Sequence, residues 1–299
     1  MNVLTTFEEV RAGREGSVGL VPTMGYLHEG HLSLIEAAAA RCDTVVVSVF
    51  VNPLQFGDPE DLRAYPADLP RDTALAADAG SDIVFAPALD EMYPAGRTVG
   101  VTVPGVGDAM EGTSRPGHFD GVATVVAKLF AGIQPDAAFF GRKDAQQLAL
   151  VTTMAAGFAM PVDVVGCSIV REPDGLALSS RNTRLSDGAR ADAAYLSGAL
   201  FTAAELFASG ERDASVLKAG VREFLAGASS IDLEYVEVAD AGSAGIIDEV
   251  TADSFLAAAA TVGGVRLIDN VFFDPRNGSV DLGERIETRS ILYGGGTCC

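Results

Sequence analysis

Residues 44–51 read Thr-Val-Val-Val-Ser-Val-Phe-Val. A run this rich in β-branched residues, without polar alternation, does not suit a sheet with one wet face. It predicts a strand buried on both sides, as in a parallel sheet covered by helices. The neighbouring segments agree. Gly19-Leu20-Val21 reads as the end of a short buried strand, 32–41 as a helix, and 52–70 as a loop rich in Pro and Asp. A helix then runs to about residue 79, followed by a strand at 82–86. Asp120 can cap a helix reaching Ile133, with Val122, Val126, Leu129, Phe130 and Ile133 on one face. A strand at 137–140, a helix at 144–157 and a strand at 162–170 complete the pattern. This βαβ alternation predicts an α/β chain: a Rossmann-like, doubly wound parallel sheet.

The pattern changes after Arg184. Two alanine-rich helical stretches, 187–209 and 214–225, precede strand-like segments at 233–238 and 265–268. The expected organisation is a Rossmann-like ligand-binding domain over 1–184, a smaller C-terminal α+β domain over 185–283, and a flexible tail over 284–299. A chain of 299 residues is long enough for both cores. Its formal charge of −20 speaks against a general nucleic-acid binder, though not against small anions met by a local basic cluster. The longest apolar runs fall short of a membrane span. Four cysteines (Cys42, Cys167, Cys298 and Cys299) form no CxxC pair, and with no signal peptide the expected location is a reducing cytoplasm.

Chemistry-bearing residues collect where strands give way to helices, the place where open parallel sheets bind ligands. The chain has three histidines, and two of them, His28 and His31, fall in TMGYLHEGHL (23–32). Gly25 and Gly30 allow a sharp turn there, and a following helix N-terminus offers free N–H groups to phosphate. Imidazoles add donors. Other readings of the same segment are a surface turn, a metal site shared with His118, or a helix start in which Ser33 and Glu36 form a capping box. A second cluster, FFGRKDAQQ (139–147), follows a strand and opens a helix, with Lys143 and Gln147 sharing a helix face. There Asp144 and Gln147 can also serve as caps. A third, LALSSRN (176–182), places two hydroxyls beside an arginine, suited to a polyphosphate but also ordinary loop composition.

Taken in order, PTMGYLHEGH (22–31), SVFVNPLQF (48–56), SRPGHFDGV (114–122), FFGRKDAQQLAL (139–150), DGLALSSRN (174–182) and RLIDN (266–270) resemble the pantoate–β-alanine ligases over roughly residues 21–270. HxGH alone marks only the wider nucleotidylyltransferase superfamily; the other five segments are specific. The resemblance implies an ATP-dependent carbon–nitrogen ligase of pantothenate biosynthesis. ATP and pantoate form pantoyl adenylate and pyrophosphate, and β-alanine then displaces AMP. It implies an ATP site of Met24, Gly25, Tyr26, Leu27, His28, Glu29, Gly30, His31, Gly141, Arg142, Lys143, Asp144, Val170, Leu178, Ser179, Ser180 and Arg181. His28, His31, Lys143 and Arg181 are the implied catalytic groups. Gln55 and Gln147 are implied to hold pantoate, with Gln55 also near β-alanine. Tyr65, Arg115 and His118 lie in family-like segments and are candidates to shape the pocket, loop packing being the other reading. Mg²⁺ is implied with ATP, with Asp72 as a candidate ligand, and the family forms homodimers. Two rivals are a transferase that stops after moving AMP and a nucleotide-binding protein without turnover.

Overall fold

The computed structural model describes residues 1–94 and 99–293. Contacts divide the chain into two compact units, and no single cut separates them. Unit 1 comprises Met1–Leu27, His31–Gly141 and Leu150–Cys167; unit 2 comprises His28–Gly30, Arg142–Ala149 and the chain from Ser168 onward.

The first 167 residues supply β1 (Asn2–Leu4), α1 (Phe7–Gly13), β2 (Val18–Thr23), α2 (Glu29–Ala39), β3 (Thr44–Val49), α3 (Pro59–Arg63) and α4 (Leu69–Asp78). Then come β4 (Ile83–Phe85), α5 (Leu89–Met92), α6 (Glu111–Ser114), α7 (His118–Ile133), β5 (Ala137–Gly141), α8 (Ala145–Gly157) and β6 (Asp163–Cys167). Among the described residues, unit 1 holds a six-stranded sheet in the order β1-β4-β3-β2-β5-β6, parallel throughout. The valine run forms β3 and is buried on both faces, as its composition requires. Val45 and Val47 pack with Val21 and with Leu34, Ile35 and Ala38 of α2. Each fully buried Val, Leu or Ile stabilises the unit by roughly 1.5–3 kcal/mol before entropy is counted.

The strand order reverses between β2 and β5. Their ladder joins only Gly19 to Ala137 and Leu20 to Ala138, although β2 continues to Thr23 and β5 to Gly141. The last residues of both strands therefore part at their carboxyl ends. This is the switch point at which such sheets leave room for a ligand.

Unit 2 continues with β7 (Val170–Arg171), α9 (Asp187–Ala208), α10 (Ala214–Leu225), β8 (Ile231–Asp240), β9 (Ser254–Val262), β10 (Val265–Asp274), β11 (Ser279–Asp281) and β12 (Glu284–Arg285). An antiparallel sheet in the order β11-β10-β9-β8 lies in this unit. Leu196, Leu200, Ala203 and Phe207 recur along α9 at helical spacing and bury themselves with Leu217 and Val221 of α10 against Val236, Leu256 and Phe273. Phe207 stacks on Phe273 with ring centroids 4.4 Å apart.

The α/β architecture with a smaller α+β part matches expectation, and several details differ. The helix expected from Asp120 begins at His118 behind Gly117, whose φ is 79°. The helix expected at 32–41 spans Glu29–Ala39, which puts Ser33 inside it rather than at its cap. The 52–70 stretch contains a 3₁₀ turn at Pro53–Gln55 and the short α3. The single strand expected at 162–170 breaks into β6 and β7. Strand β9 has no counterpart among the expected elements, because its alanine-rich sequence SFLAAAATV carries little β-propensity and is held in place by its two neighbours. The tail expected from 284 includes β12, paired to β7, and a 3₁₀ turn at Ile291–Tyr293. Residues 294–299, with Cys298 and Cys299, lie outside the described residues.

Candidate active site

In unit 1 the loop after β2 is built around a buried carboxylate. Gly25 and Tyr26 take positive φ values of 85° and 54°, the second uncommon for an aromatic residue. Asp72, fully buried on α4, holds them there. Its oxygens accept from Tyr26 N–H and Leu27 N–H, each at 2.7 Å. Arg71 donates to the Leu27 carbonyl at 2.9 Å, and its guanidinium lies over the Tyr26 ring at 5.1 Å. Asp72, expected as a candidate Mg²⁺ ligand, is thus engaged in shaping the loop. Among the described residues no group of three or more His, Cys, Asp or Glu is arranged to hold a metal ion. Asp72→Asn leaves one acceptor oxygen for two amides, so it is expected to lower stability by about 1–3 kcal/mol together with kcat/KM. Urea unfolding midpoints beside steady-state rates check this, and an unchanged midpoint would remove the clamp role.

Gln55 closes the 3₁₀ turn Pro53–Gln55 and is buried. Its amide is oriented from both ends: Oε1 accepts from Asn52 Nδ2 at 3.0 Å, and Nε2 points to the Met24 sulfur at 3.2 Å. His118 Nδ1 lies 2.9 Å from the Gln55 carbonyl oxygen, and Arg115 lies 3.1 Å from His118 Nε2. A carbonyl only accepts and a guanidinium only donates, so His118 is neutral with its proton on Nδ1. Helix α7 meets this turn closely. A Cβ at Gly121 would stand 2.3 Å from the Leu54 carbonyl oxygen, so only glycine fits. Tyr65 belongs to the same neighbourhood through its edge contact with Phe56. His31 lies in the first turn of α2. Gly141 ends β5.

In unit 2, His28 is buried immediately before α2, and its Nδ1 accepts from Gly30 N–H at 3.1 Å. The neutral ring therefore carries its proton on Nε2. A Cβ at Gly30 would come within 3.0 Å of the imidazole, so the contact requires glycine; the same position lies 4.0 Å from Cβ of Val170. Val170 lends its carbonyl to Leu178 N–H at 3.0 Å. Glu29, expected among the ATP contacts, sends its carboxylate to Ser290 and Ile291.

The second and third motifs meet at one recess within unit 2. Its lining includes Lys143, Ser179, Arg181, Asn182, Arg266 and Asp269. Lys143, Arg181 and Arg266 thus line one recess beside Asp269, with Arg266 donating to Glu234 at 2.6 Å. The Ser179 hydroxyl accepts from Arg181 N–H at 3.3 Å and starts the 3₁₀ turn Ser180–Arg184. Leu178 is buried behind it. Lys143 follows β5 in a 3₁₀ turn, its ammonium 3.8 Å from the exposed Asp144. Gln147 lies half-buried in the first turn of α8.

Asn270, whose segment carried the resemblance without an assigned role, holds this turn. Its Nδ2 donates to the carbonyls of Arg142 at 3.0 Å and Lys143 at 2.8 Å. Arg142 turns to Asp281 at 2.7 Å and over the Phe272 ring, so its side chain is structural. Burial pushes the Asp281 carboxyl up, but the Gly283 amide, the Ser168 hydroxyl and Arg142 outweigh this and leave it below its ordinary pKa. Asn270, Arg71 and the positioning role of Asp72 were not legible as site features, since each acts on residues 44 to 128 positions away.

A sequence model described as pantoate–β-alanine ligase matches residues 2–272. Pantothenate synthetase of Roseiflexus sp. (strain RS-1) is 48% identical over 273 residues, covering 90% of this chain and 98% of that protein. That of Chloroflexus aurantiacus (strain ATCC 29366 / DSM 635 / J-10-fl) is 50% identical, over 90% and 97%. The crystal structure of pantothenate synthetase from Thermus thermophilus superposes with a TM-score of 0.85 at 45% identity, over 90% and 98%. Pantoate–β-alanine ligase from Francisella tularensis, solved in complex with βγ ATP and β-alanine, superposes with a TM-score of 0.73 at 31% identity, over 90% and 97%. A family match over 2–272, with identities of 45–50% across about nine-tenths of the chain, shows that the chain belongs to the pantoate–β-alanine ligase family.

Proposed function

We propose that this family member condenses pantoate with β-alanine through a pantoyl-adenylate intermediate, using ATP. A pantoate carboxylate oxygen attacks the α-phosphorus of ATP. The new C–O–P bond forms as the bond to the β-phosphate oxygen breaks, and pyrophosphate leaves. The amine of β-alanine then attacks the acyl carbon, losing a proton, and AMP departs with the bridging oxygen. A free carboxylate is a poor acyl donor, so the enzyme's work is to position reactants and to stabilise charge on the departing phosphates.

The observation that carries this reading is the gathering of Lys143, Ser179 and Arg181 around one recess. Lys143 and Arg181 meet phosphate charge there, and the Ser179 and Ser180 hydroxyls donate to phosphate oxygens. His28 offers Nε2–H while Gly30 N–H fixes its other nitrogen. His31, at the start of α2, stabilises the same charge from a helix N-terminus. Met24 to Leu27, Gly141, Asp144 and the Val170 backbone shape the nucleotide's surroundings. Gln55 and Gln147 hold pantoate by neutral amides, which grip hydroxyls and a carboxylate without burying a further charge. The Gln55 amide is already oriented by Asn52 and Met24. Mg²⁺ arrives as a complex with ATP, bound chiefly through substrate phosphates. The same reading carries a homodimer working in the cytoplasm. ATP and β-alanine bound to the Francisella relative support the substrate set.

The test supplies ATP, Mg²⁺ and pantoate with and without β-alanine, and follows AMP, pyrophosphate and pantothenate by mass. AMP and pantothenate are expected together, only with both organic substrates. AMP transfer without pantothenate would mark a transferase. ATP binding with no turnover would leave a nucleotide-binding protein on a ligase fold.

A further inference from the structure

The last described segment lies beyond the 2–272 match to the family, yet it reaches back to two of the motifs. Ser290 Oγ donates to Glu29 Oε2 at 2.6 Å, and Ile291 N–H donates to Oε1 at 2.8 Å. The same turn carries Tyr293, whose hydroxyl donates to Glu172 Oε1 at 2.7 Å. Glu172 also accepts from Asn182 Nδ2 at 3.1 Å and Arg190 at 2.7 Å, and Arg190 Nε donates to the Tyr293 oxygen at 3.2 Å. Ser290, Glu172 and Asn182 are each 2% exposed or less. Burial, with Glu172 beside it, pushes the Tyr293 hydroxyl up to about 12, so it stays a donor across the working range. One turn thus holds a carboxylate inside the first motif and another beneath the third, where Asn182 follows Arg181.

Glu29 is the reason such a device is needed. It stands next to His28, in a segment read as part of the ATP site, and a loose carboxylate there repels the phosphates. Directing both oxygens to Ser290 and Ile291 spreads that charge and holds it in a fixed place, which weakens the repulsion. Tying Glu172 to Tyr293 fixes the base of the Ser179–Arg181 turn. We propose that Ser290 and Tyr293 are positioning residues for ATP, a C-terminal clasp that sets the His28–Gly30 segment and the Ser179–Arg181 turn for phosphate. The proposal rests on reading those two segments as the ATP site.

The test is the double variant Ser290→Ala, Tyr293→Phe in the full chain, each change removing one hydroxyl and little volume. The expected result is a KM for ATP raised about tenfold, from two lost hydrogen bonds to charged groups. KM for pantoate and β-alanine is expected to stay within about twofold, as for any effect confined to one substrate. Amides of residues 176–182 are expected to exchange faster in the variant. Ser290→Thr, which keeps the hydroxyl, is expected to retain the wild-type KM for ATP. An ATP KM unchanged in the folded double variant overturns the clasp, as does a uniform change for all three substrates. If the wild type itself turned nothing over, the ligase reading would fall, and the exchange comparison alone would judge the clasp: unchanged exchange refutes it.

Discussion

Lys143→Ala and His31→Ala are each expected to lower the rate of pyrophosphate release by about 10²–10³-fold, the usual effect of removing one donor from charge developing in a transition state. The reason lies in how each group is mounted. The backbone at Lys143 is held by Asn270 through the Arg142 and Lys143 carbonyls, so the ammonium projects from a fixed turn. It shares its recess with Ser179 and Arg181, which leaves truncation no easy substitute. His31 sits in the first turn of α2, at the positive end of the helix dipole, where its donor adds to that field. Alanine is the best helix former, and neither side chain belongs to a hydrophobic core cluster, so both variants should fold normally. Single-turnover release of pyrophosphate, with circular dichroism as a fold control, decides it. Turnover near that of the wild type in either well-folded variant would withdraw its role. Lys143→Arg is expected to restore only part of the rate, because a planar fork does not replace a compact point charge.

Asp269→Ala is expected to cost about 3–5 kcal/mol of folding stability, the penalty for leaving a buried charge unpaired. Arg171 is fully buried, and its guanidinium meets Asp269 through two nitrogens at 2.7 and 3.0 Å. The carbonyls of Gly175 and Asn270, each at 3.0 Å, and that of Leu282 take further donors. Phe201 covers the guanidinium face at 4.9 Å. This arrangement joins β7, β10 and the 281–283 turn of unit 2, and those partners cannot replace a negative charge. Guanidinium unfolding of wild type and variant measures it, and a loss below about 1 kcal/mol would show that the pair is not needed to keep Arg171 inside.

The pattern of buried strands was legible because parallel sheets demand a particular composition, and residues 44–51 could satisfy no other setting. The motif residues were legible because histidine and lysine are few in this chain and, with glycine, fall close together in sequence at strand ends. Strand β9 was not, since alanine accepts a central strand position only when both neighbours impose it. Asp72 was read for its charge, and its use by Tyr26 and Leu27 depends on a pairing across 45 and 46 residues. Glu29 was read as part of a ligand motif for the same reason: its partners stand 261 and 262 residues away. Such carboxylates show their use only once the chain is folded.

The short ladder between β2 and β5 has a bearing on how the protein is made. Its two pairings span 137 − 19 = 118 and 138 − 20 = 118 residues. By the time β4 has emerged, the first four strands can already pair in the order β1-β4-β3-β2. The free edge of β2 then waits for about fifty more residues, or about 3–10 s at ordinary translation speed. A strand edge with unpaired N–H and C=O groups left open that long is a template for wrong partners. The seam at the switch point therefore stays open until β5 is made, and only the β5–β6 seam closes later.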